Sequence, residues 1–260
     1  MGTEWEYTKN GSKWYQISIY NLEEKALSLV GPDIYERLIK GYTEKQWGRP
    51  AAELPASIIR RLPLRFTYDN NYYDALYQGI PIGGYTRIVE KMLDGCDVAL
   101  ETDFFANREK WENAADRVVF SGPIDAYYGH RFGRLEYRGL RFETETLNVR
   151  NFQGNAVVNY TDRAVPYTRI VEHKHFEFAA GGWDETVITR EYPAKWESDA
   201  DGDPFYPVND AANEATREKY AALAARESRV FFGGRLGSYR YCDMEEVVEE
   251  ALTLAERIIS

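Results

Sequence analysis

The residues GYTEKQWGR, 41 to 49, set two rings, Tyr42 and Trp47, five positions apart among the cations Lys45 and Arg49. Rings that leave a helix onto a loop among basic groups can stack a base and hold phosphates. The same letters describe a surface loop pinned by its aromatics, and alone the segment favours that plainer reading. Arg61, Arg169 and Arg235 are scattered near Tyr72, Tyr206 and Tyr241. Guanidinium forks bind phosphate oxygens in pairs, and phenols add neutral donors. Spacing along the chain does not show that these residues converge, so pattern alone points to a nucleotide ligand and stops there.

Other candidates carry less. His173 and His175 are two apart on a predicted strand, which is half a metal site, but no Cys or acidic cluster completes it. DADGD at 199 to 203 resembles the start of a calcium loop whose closing glutamate is out of register: position 210 is Asp and 214 is Glu. A solvated acidic turn is the preferred reading, and no metal is expected. No G-x-S-x-G supports a nucleophile elbow. Gly83-Gly84 before Thr86 reads equally as a phosphate approach or a tight strand-to-helix turn. Near the end, VFFGGRLGSYRYCDM reads as strand, glycine turn and helix start, with Asp243 as N-cap and Glu246 as its capping-box partner. Such a helix start suits an anionic cofactor, yet no G-x-G-x-x-G opens the unit.

The elements that must position these residues fall in a clear order. Residues 4 to 20 read as a hairpin turning at Asn10-Gly11. Helical texture follows, with Asn21 as N-cap, stops at Gly31 and Gly41, and a third piece closed by Pro63. TRIVEKMLDG is an amphipathic helix. DVALETDF and DRVVFSGP read as strands, the second buried on both faces. From Leu135 to Ile188 the pattern is antiparallel β. In YTRIVEHKHFEF, Thr168, Ile170, Glu172, Lys174 and Phe176 share one face; Arg169, Val171, His173 and His175 share the other. A polar loop, a helix over NEATREKYAALAARESR, and the closing strand and helix complete the chain.

The 260 residues can bury one large core or two modest ones. A net charge of −10 argues against nucleic-acid and anionic-membrane partners, though clustered arginines can still hold an anionic substrate. Aromatics at 15% leave core packing and ligand stacking equally open. No apolar run approaches a membrane span, the first residues lack signal-peptide features, and Cys96 with Cys242 are too few for a disulfide framework. The expected setting is cytoplasmic.

The segments SLVGPDIYERLIKGYTEKQWGRP, LPASIIRRLPLRFTYDNNYY, YQGIPIGGYTRIVEKML, FQGNAVVNYTD, VPYTRIVEHKHFEF, FYPVND and GGRLGSYRYCDM closely resemble bacterial UDP-galactopyranose mutases, in order, from about Asn21 onward. The resemblance implies an isomerase that interconverts UDP-galactopyranose and UDP-galactofuranose through a reduced-flavin N5 sugar adduct, making galactofuranose for cell-surface glycans. It implies FAD as cofactor, a UDP-sugar as partner, and a homodimer as the common assembly. Arg61 and Arg169 resemble the catalytic arginines that clamp the diphosphate. Tyr42 and Trp47 resemble uridine-side residues, Tyr72, Tyr206 and Tyr241 phosphate donors, and Asn159 a polar residue of the sugar pocket. Arg235, Asp243 and Met244 resemble residues along the flavin.

The fold class implied is α+β (α/β in the full-length family): an incomplete Rossmann-like FAD-binding portion, a helical region and a twisted antiparallel sheet. The expected divisions are an unmatched hairpin-like segment at 1–20, a helical substrate-loop region at 21–75 and a residual β-α-β portion at 76–125. A sheet domain with its following helix takes 126–228, and a closing strand-helix takes 229–260. The family's opening third, with its glycine-rich pyrophosphate turn and acidic ribose ligand, has no counterpart. The alternative expectation is therefore a truncated, flavin-free remnant that only binds UDP or a UDP-sugar. An unpaired sheet edge would make the isolated chain self-associate.

Overall fold

The computed structural model describes residues 3–4, 17–61, 67–68, 71, 73, 75–176, 184–198 and 201–259. In chain order the elements are β1 (Thr3–Glu4), β2 (Ile17–Ser18), α1 (Leu22–Ile34), α2 (Gly41–Trp47), α3 (Thr86–Met92), α4 (Arg108–Ala114), β3 (Val118–Phe120), α5 (Ile124–Tyr127) and β4 (Tyr137–Leu147). Then follow β5 (Val157–Asn159), β6 (Arg169–Glu172), β7 (Thr186–Trp196), β8 (Tyr206–Pro207), α6 (Ala211–Ala224), β9 (Val230–Phe232), α7 (Gly234–Gly237) and α8 (Met244–Ile259). The fold is α+β. Two compact units are each assembled from two stretches of chain: Met1–Gly79 with Arg138–Lys195, and Ile80–Tyr137 with Trp196–Ser260.

In the first unit β1 and β2 pair antiparallel, as a hairpin requires; the Asn10-Gly11 turn lies outside the described residues. The side chain of Asn21 caps α1 by accepting the Glu24 N–H at 2.9 Å. The Glu24 carboxylate turns back to accept the Tyr20 N–H at 2.7 Å. Gly31 is a break at φ 74° rather than a stop, because Pro32 is well suited to restart a helix. A π-helical stretch, Tyr35–Lys40, then runs directly into α2. The second expected stop, Gly41, is therefore wrong. A Cβ there would stand 2.3 Å from the Thr161 carbonyl oxygen, so this glycine serves close approach, not termination. The terminator is Gly48, in the left-handed region at φ 66°, whose N–H reaches the Glu44 carbonyl at 2.9 Å. Tyr42 and Trp47 accordingly lie on a helix and not on a loop. Leu22, Ala26, Tyr35, Ile39, Ala51, Leu54 and Ile59 form the core beneath it.

The sheet of this unit runs β5-β6-β7-β4, with the β5–β6 and β6–β7 pairs antiparallel as expected. Alternation holds from Thr168 to Glu172: Thr168, Ile170 and Glu172 are fully buried, and Arg169 and Val171 are not. It fails beyond. His173–Phe176 curl into a 3-10 turn, so the expected faces of His173, Lys174, His175 and Phe176 are corrected. The cause is Glu172, whose carboxylate draws His175 Nε2 back to 3.1 Å, a contact between residues three apart that a strand cannot make.

In the second unit β3 and β9 pair in parallel, Val118 opposite Val230. Phe120, Tyr127 and Val230 form a core with Phe104, Val118, Tyr128 and Phe232 around it. Val119 is 55% exposed, so β3 is not buried on both faces as expected. DVALETDF forms no strand. Its polar side chains bond locally instead, Thr102 Oγ1 to the Leu100 carbonyl and Asp103 Oδ1 to the Phe105 N–H, which competes with a ladder. Asp210 caps α6 by accepting the Asn213 N–H at 2.9 Å. Glu246 accepts the Asp243 N–H at 2.7 Å, the capping-box arm expected at the start of α8.

The aromatic surplus goes largely into packing, for Tyr35, Tyr137, Tyr220 and Tyr239 are among the largest fully buried side chains. The Tyr239 hydroxyl donates to the Glu136 carbonyl at 2.6 Å and accepts the Val208 N–H at 3.1 Å, stitching β8 to the start of β4. Among the described residues no helix is long and apolar enough to cross a membrane.

Candidate functional site

Arg169 opens β6 and is flanked in register by Asn159 on β5 and Glu191 on β7. Neighbouring strands place such residues side by side on one face, so three polar side chains meet in a row. Arg169 Nη2 donates to the Tyr42 hydroxyl at 2.8 Å, and its Nε lies 3.4 Å from Glu191 Oε1. Glu191 is nearly buried. Burial pushes its pKa up, and the Arg169 charge opposes that shift. The main chain fixes it as well, since the Thr168 N–H donates to the Glu191 carbonyl at 2.9 Å. Asn159 is exposed beside them. A half-buried guanidinium between a phenol and a carboxylate, next to an exposed carboxamide, is chemistry suited to an anionic, hydroxyl-rich ligand.

The helix that carries Tyr42 is held in several ways. Lys45 Nζ donates into the carbonyls of Tyr160, Asp162, Val165 and Tyr167. Glu44 pairs with Arg163 at 2.8 Å and accepts the Ala51 N–H at 3.2 Å. Arg138 Nε donates to the Gln46 carbonyl at 3.1 Å, and its guanidinium fills the space above Gly48, where a Cβ would meet Nη1 at 2.9 Å. Burial, and secondly the charge of Arg49, lower the pKa of Arg138. Trp47 packs against the helical core cluster.

The second unit gathers another group. Arg235, on α7, donates from Nη1 to the Phe205 carbonyl at 3.1 Å and from Nη2 to the Cys242 carbonyl at 2.7 Å. Its guanidinium stands 4.8 Å over the Tyr241 ring, which meets Tyr206 edge-on at 5.3 Å. Gly237 allows α7 this position, since a Cβ would come 2.8 Å from the Phe120 carbonyl oxygen. Asp243 and Met244 follow at the start of α8, with Met244 exposed.

Of the residues singled out in the sequence, Tyr42, Asn159 and Arg169 meet in the first unit. Tyr206, Arg235 and Tyr241 meet in the second, with Asp243 and Met244 adjoining in sequence. Arg61 closes the 3-10 turn Ala56–Arg61, and Tyr72 lies outside the described residues. His173 bonds Thr189 Oγ1 at 2.7 Å and His175 faces Glu172, so both histidines have structural partners. No group of three or more potential metal ligands forms among the described residues. Sequence reasoning missed Glu191, and it read Lys45 as a phosphate-side cation where the structure gives its ammonium to four carbonyls. Glu191 was visible only as the β7 residue that could pair with Arg169.

Fold and clusters define an α+β protein with an arginine-centred polar site on its sheet. The chain belongs to the UDP-galactopyranose mutase family, whose model matches residues 37–241. A protein of Klebsiella pneumoniae named as a probable UDP-galactopyranose mutase is 44% identical over 242 residues, 92% of this chain and 61% of its own length. The dTDP-fucopyranose mutase of Escherichia coli is 38% identical over 247 residues, 92% of this chain and 64% of its own. A crystal structure of reduced UDP-galactopyranose mutase shares the fold at a TM-score of 0.58, with 13% identity over 88% of this chain and 65% of that one. The chain thus spans less than two thirds of the length of these relatives.

Proposed function

We propose that this chain carries the nucleotide-sugar site of a UDP-galactopyranose mutase, an isomerase that interconverts UDP-galactopyranose and UDP-galactofuranose. The observation that carries the reading is Arg169 held between Tyr42 and Glu191, in a chain of this family. Arg169, with Arg61, offers cations to the diphosphate as the sugar–oxygen bond breaks and charge develops on UDP. On the resemblance we assign Tyr42 and Trp47 to the uridine end, Asn159 to the sugar, and Tyr72, Tyr206 and Tyr241 to the phosphates. Tyr42 hydrogen-bonds the guanidinium and the Glu191 carboxylate lies 3.4 Å from its Nε as a charge contact, which together bias its orientation before ligand arrives.

FAD is the cofactor the family implies, and the open space by Gly233 is where we would place one edge of such a group. A Cβ at Gly233 would approach Leu254 Cδ2 to 3.2 Å, and a cavity of about 850 Å3 opens beside the turn. Val119, Phe232 and Val247 give it apolar walls, Ser121 and Ser238 give it hydroxyls, and Arg240, Glu246, Glu249, Glu250 and Arg257 give it charges of both signs. Arg235, Asp243 and Met244 do not line this cavity, and we assign them to the flavin on the resemblance alone. When bound, reduced FAD supplies the electron pair that the anomeric carbon needs. The product would feed galactofuranose into cell-surface glycans from the cytoplasm.

The test is direct. The purified chain, reduced with dithionite, is given UDP-galactofuranose, and formation of UDP-galactopyranose is followed by chromatography. Conversion by a yellow protein supports the reading. A colourless protein that binds UDP in calorimetry without conversion would confine this chain to binding, and absence of UDP binding would refute the reading. Parallel titration with dTDP separates the two nucleotide classes named for its relatives, with UDP expected to bind more tightly.

A further inference from the structure

The segment between β5 and β6 turns four carbonyls onto one cation. Lys45 Nζ lies 2.7 Å from the Tyr160 oxygen, 2.8 Å from Asp162, and 3.0 Å from both Val165 and Tyr167. An ammonium has only three N–H groups, so four oxygens at these distances surround it much as carbonyl rings surround a dehydrated potassium ion. Converging carbonyl dipoles repel one another, and a positive charge at their centre offsets that repulsion. Burial lowers the Lys45 pKa, with the Asp162 carboxylate opposing.

The placement gives the clamp a purpose. Lys45 follows Tyr42 by three positions on α2, so both lie on one side of the helix. The four carbonyls lie between Asn159, the last residue of β5, and Arg169, the first of β6. Gly41 against Thr161 and Glu44 against Arg163 tighten the same seam. We propose that Lys45 is a positioning residue for the nucleotide-sugar site: a tethered monovalent cation that shapes residues 160–167 and thereby sets Tyr42 against Arg169. It acts through those two residues, and the proposal rests on the UDP-sugar reading above. Arginine could not replace it, because a planar fork does not present its donors to four oxygens around one point.

The full chain is compared with Lys45→Ala and Lys45→Gln by UDP calorimetry and by melting, in choline, potassium and ammonium chloride at equal ionic strength. Lys45→Ala should bind UDP about tenfold more weakly in choline. Potassium or ammonium should recover most of that loss and raise its melting temperature, while leaving the parent chain unchanged. Lys45→Gln, which keeps two donors and no charge, serves if Lys45→Ala does not fold. In that background Tyr42→Phe should add little to the loss of UDP affinity, because the hydroxyl has already left its place. Parent-like UDP binding by both Lys45 variants overturns the proposal. So does a loss that no cation recovers and to which Tyr42→Phe adds its full effect. If the parent chain itself binds no UDP, the functional reading fails and the positioning role with it. Cation-dependent melting of Lys45→Ala would then separately report the carbonyl clamp.

Discussion

Replacing Glu172 by glutamine should remove a large, pH-dependent share of the stability of the first unit. The side chain is fully buried. Burial alone would raise its pKa, but the N–H groups of Gln153 and Phe152, the Thr186 hydroxyl and His175 together outweigh burial and hold it at about 2, against an ordinary 4.5. The contacts are short: 2.8 Å from Gln153, 3.0 Å from Phe152 and 2.8 Å from Thr186. At about 1.4 kcal/mol for each pH unit, the depression corresponds to about 3 kcal/mol at neutral pH. Because the folded-state pKa lies below the unfolded one, this stability is complete above about pH 5 and is lost as the pH falls toward 2. Glu172→Gln should therefore melt lower at pH 7 by about 6 to 12 °C. The gap should narrow steadily as acid protonates the parent carboxylate. Melting curves of both proteins from pH 7 to 2.5 decide the matter. A gap that stays constant across that range would show that charge on Glu172 contributes nothing and that the donors bind an uncharged oxygen equally well.

Other substitutions test the site and its frame. Arg169→Lys keeps the charge but loses the fork that reaches both Tyr42 and Glu191, so calorimetry should show UDP bound about 10- to 100-fold more weakly. Gly41→Ala would ordinarily stabilise a helix by about 0.5 to 1 kcal/mol, but the close approach to Thr161 reverses the sign, and a net loss in thermal melting is expected. Tyr239→Phe removes the hydroxyl that bridges Glu136 and Val208, but the Val208 N–H still reaches the Glu136 carbonyl at 3.0 Å, so the cost in urea unfolding should be about 0.5 to 1.5 kcal/mol.

Local grammar was readable where one residue type has one dominant use. Asn21 before an amphipathic run is a cap, and Asp243 followed by Glu246 starts a helix, because side-chain oxygens must meet the first free N–H groups. The β5–β6–β7 meander followed from alternation. Glycine misled because it serves two physical needs: Gly48 ends α2 through its positive φ, whereas Gly41 sits inside a continuous helix to let a carbonyl come near. DVALETDF reads as a strand by composition, but a strand exists only with a partner, which local pattern does not supply. The arginine site was half legible. Arg169 and Tyr42 stood out by type, while the clamp around Lys45 consists of main-chain oxygens that no letter of the sequence records. Glu172 and Glu191 are the same letter with opposite fates. Four donors hold the first ionised, and burial raises the pKa of the second.

The pairing of Val118 with Val230 has a consequence for how the protein is made. β3 leaves the ribosome long before its parallel partner exists, and the whole meander of the first unit is synthesised in between. The second unit therefore cannot close its sheet from its opening stretch alone, and Phe120 must wait for Phe232. Such a closure joins distant chain segments against their entropy, which places it late and makes it slow. During that interval the aromatic surface around Phe120 and Tyr127 is uncovered, and chaperone dependence should be concentrated there.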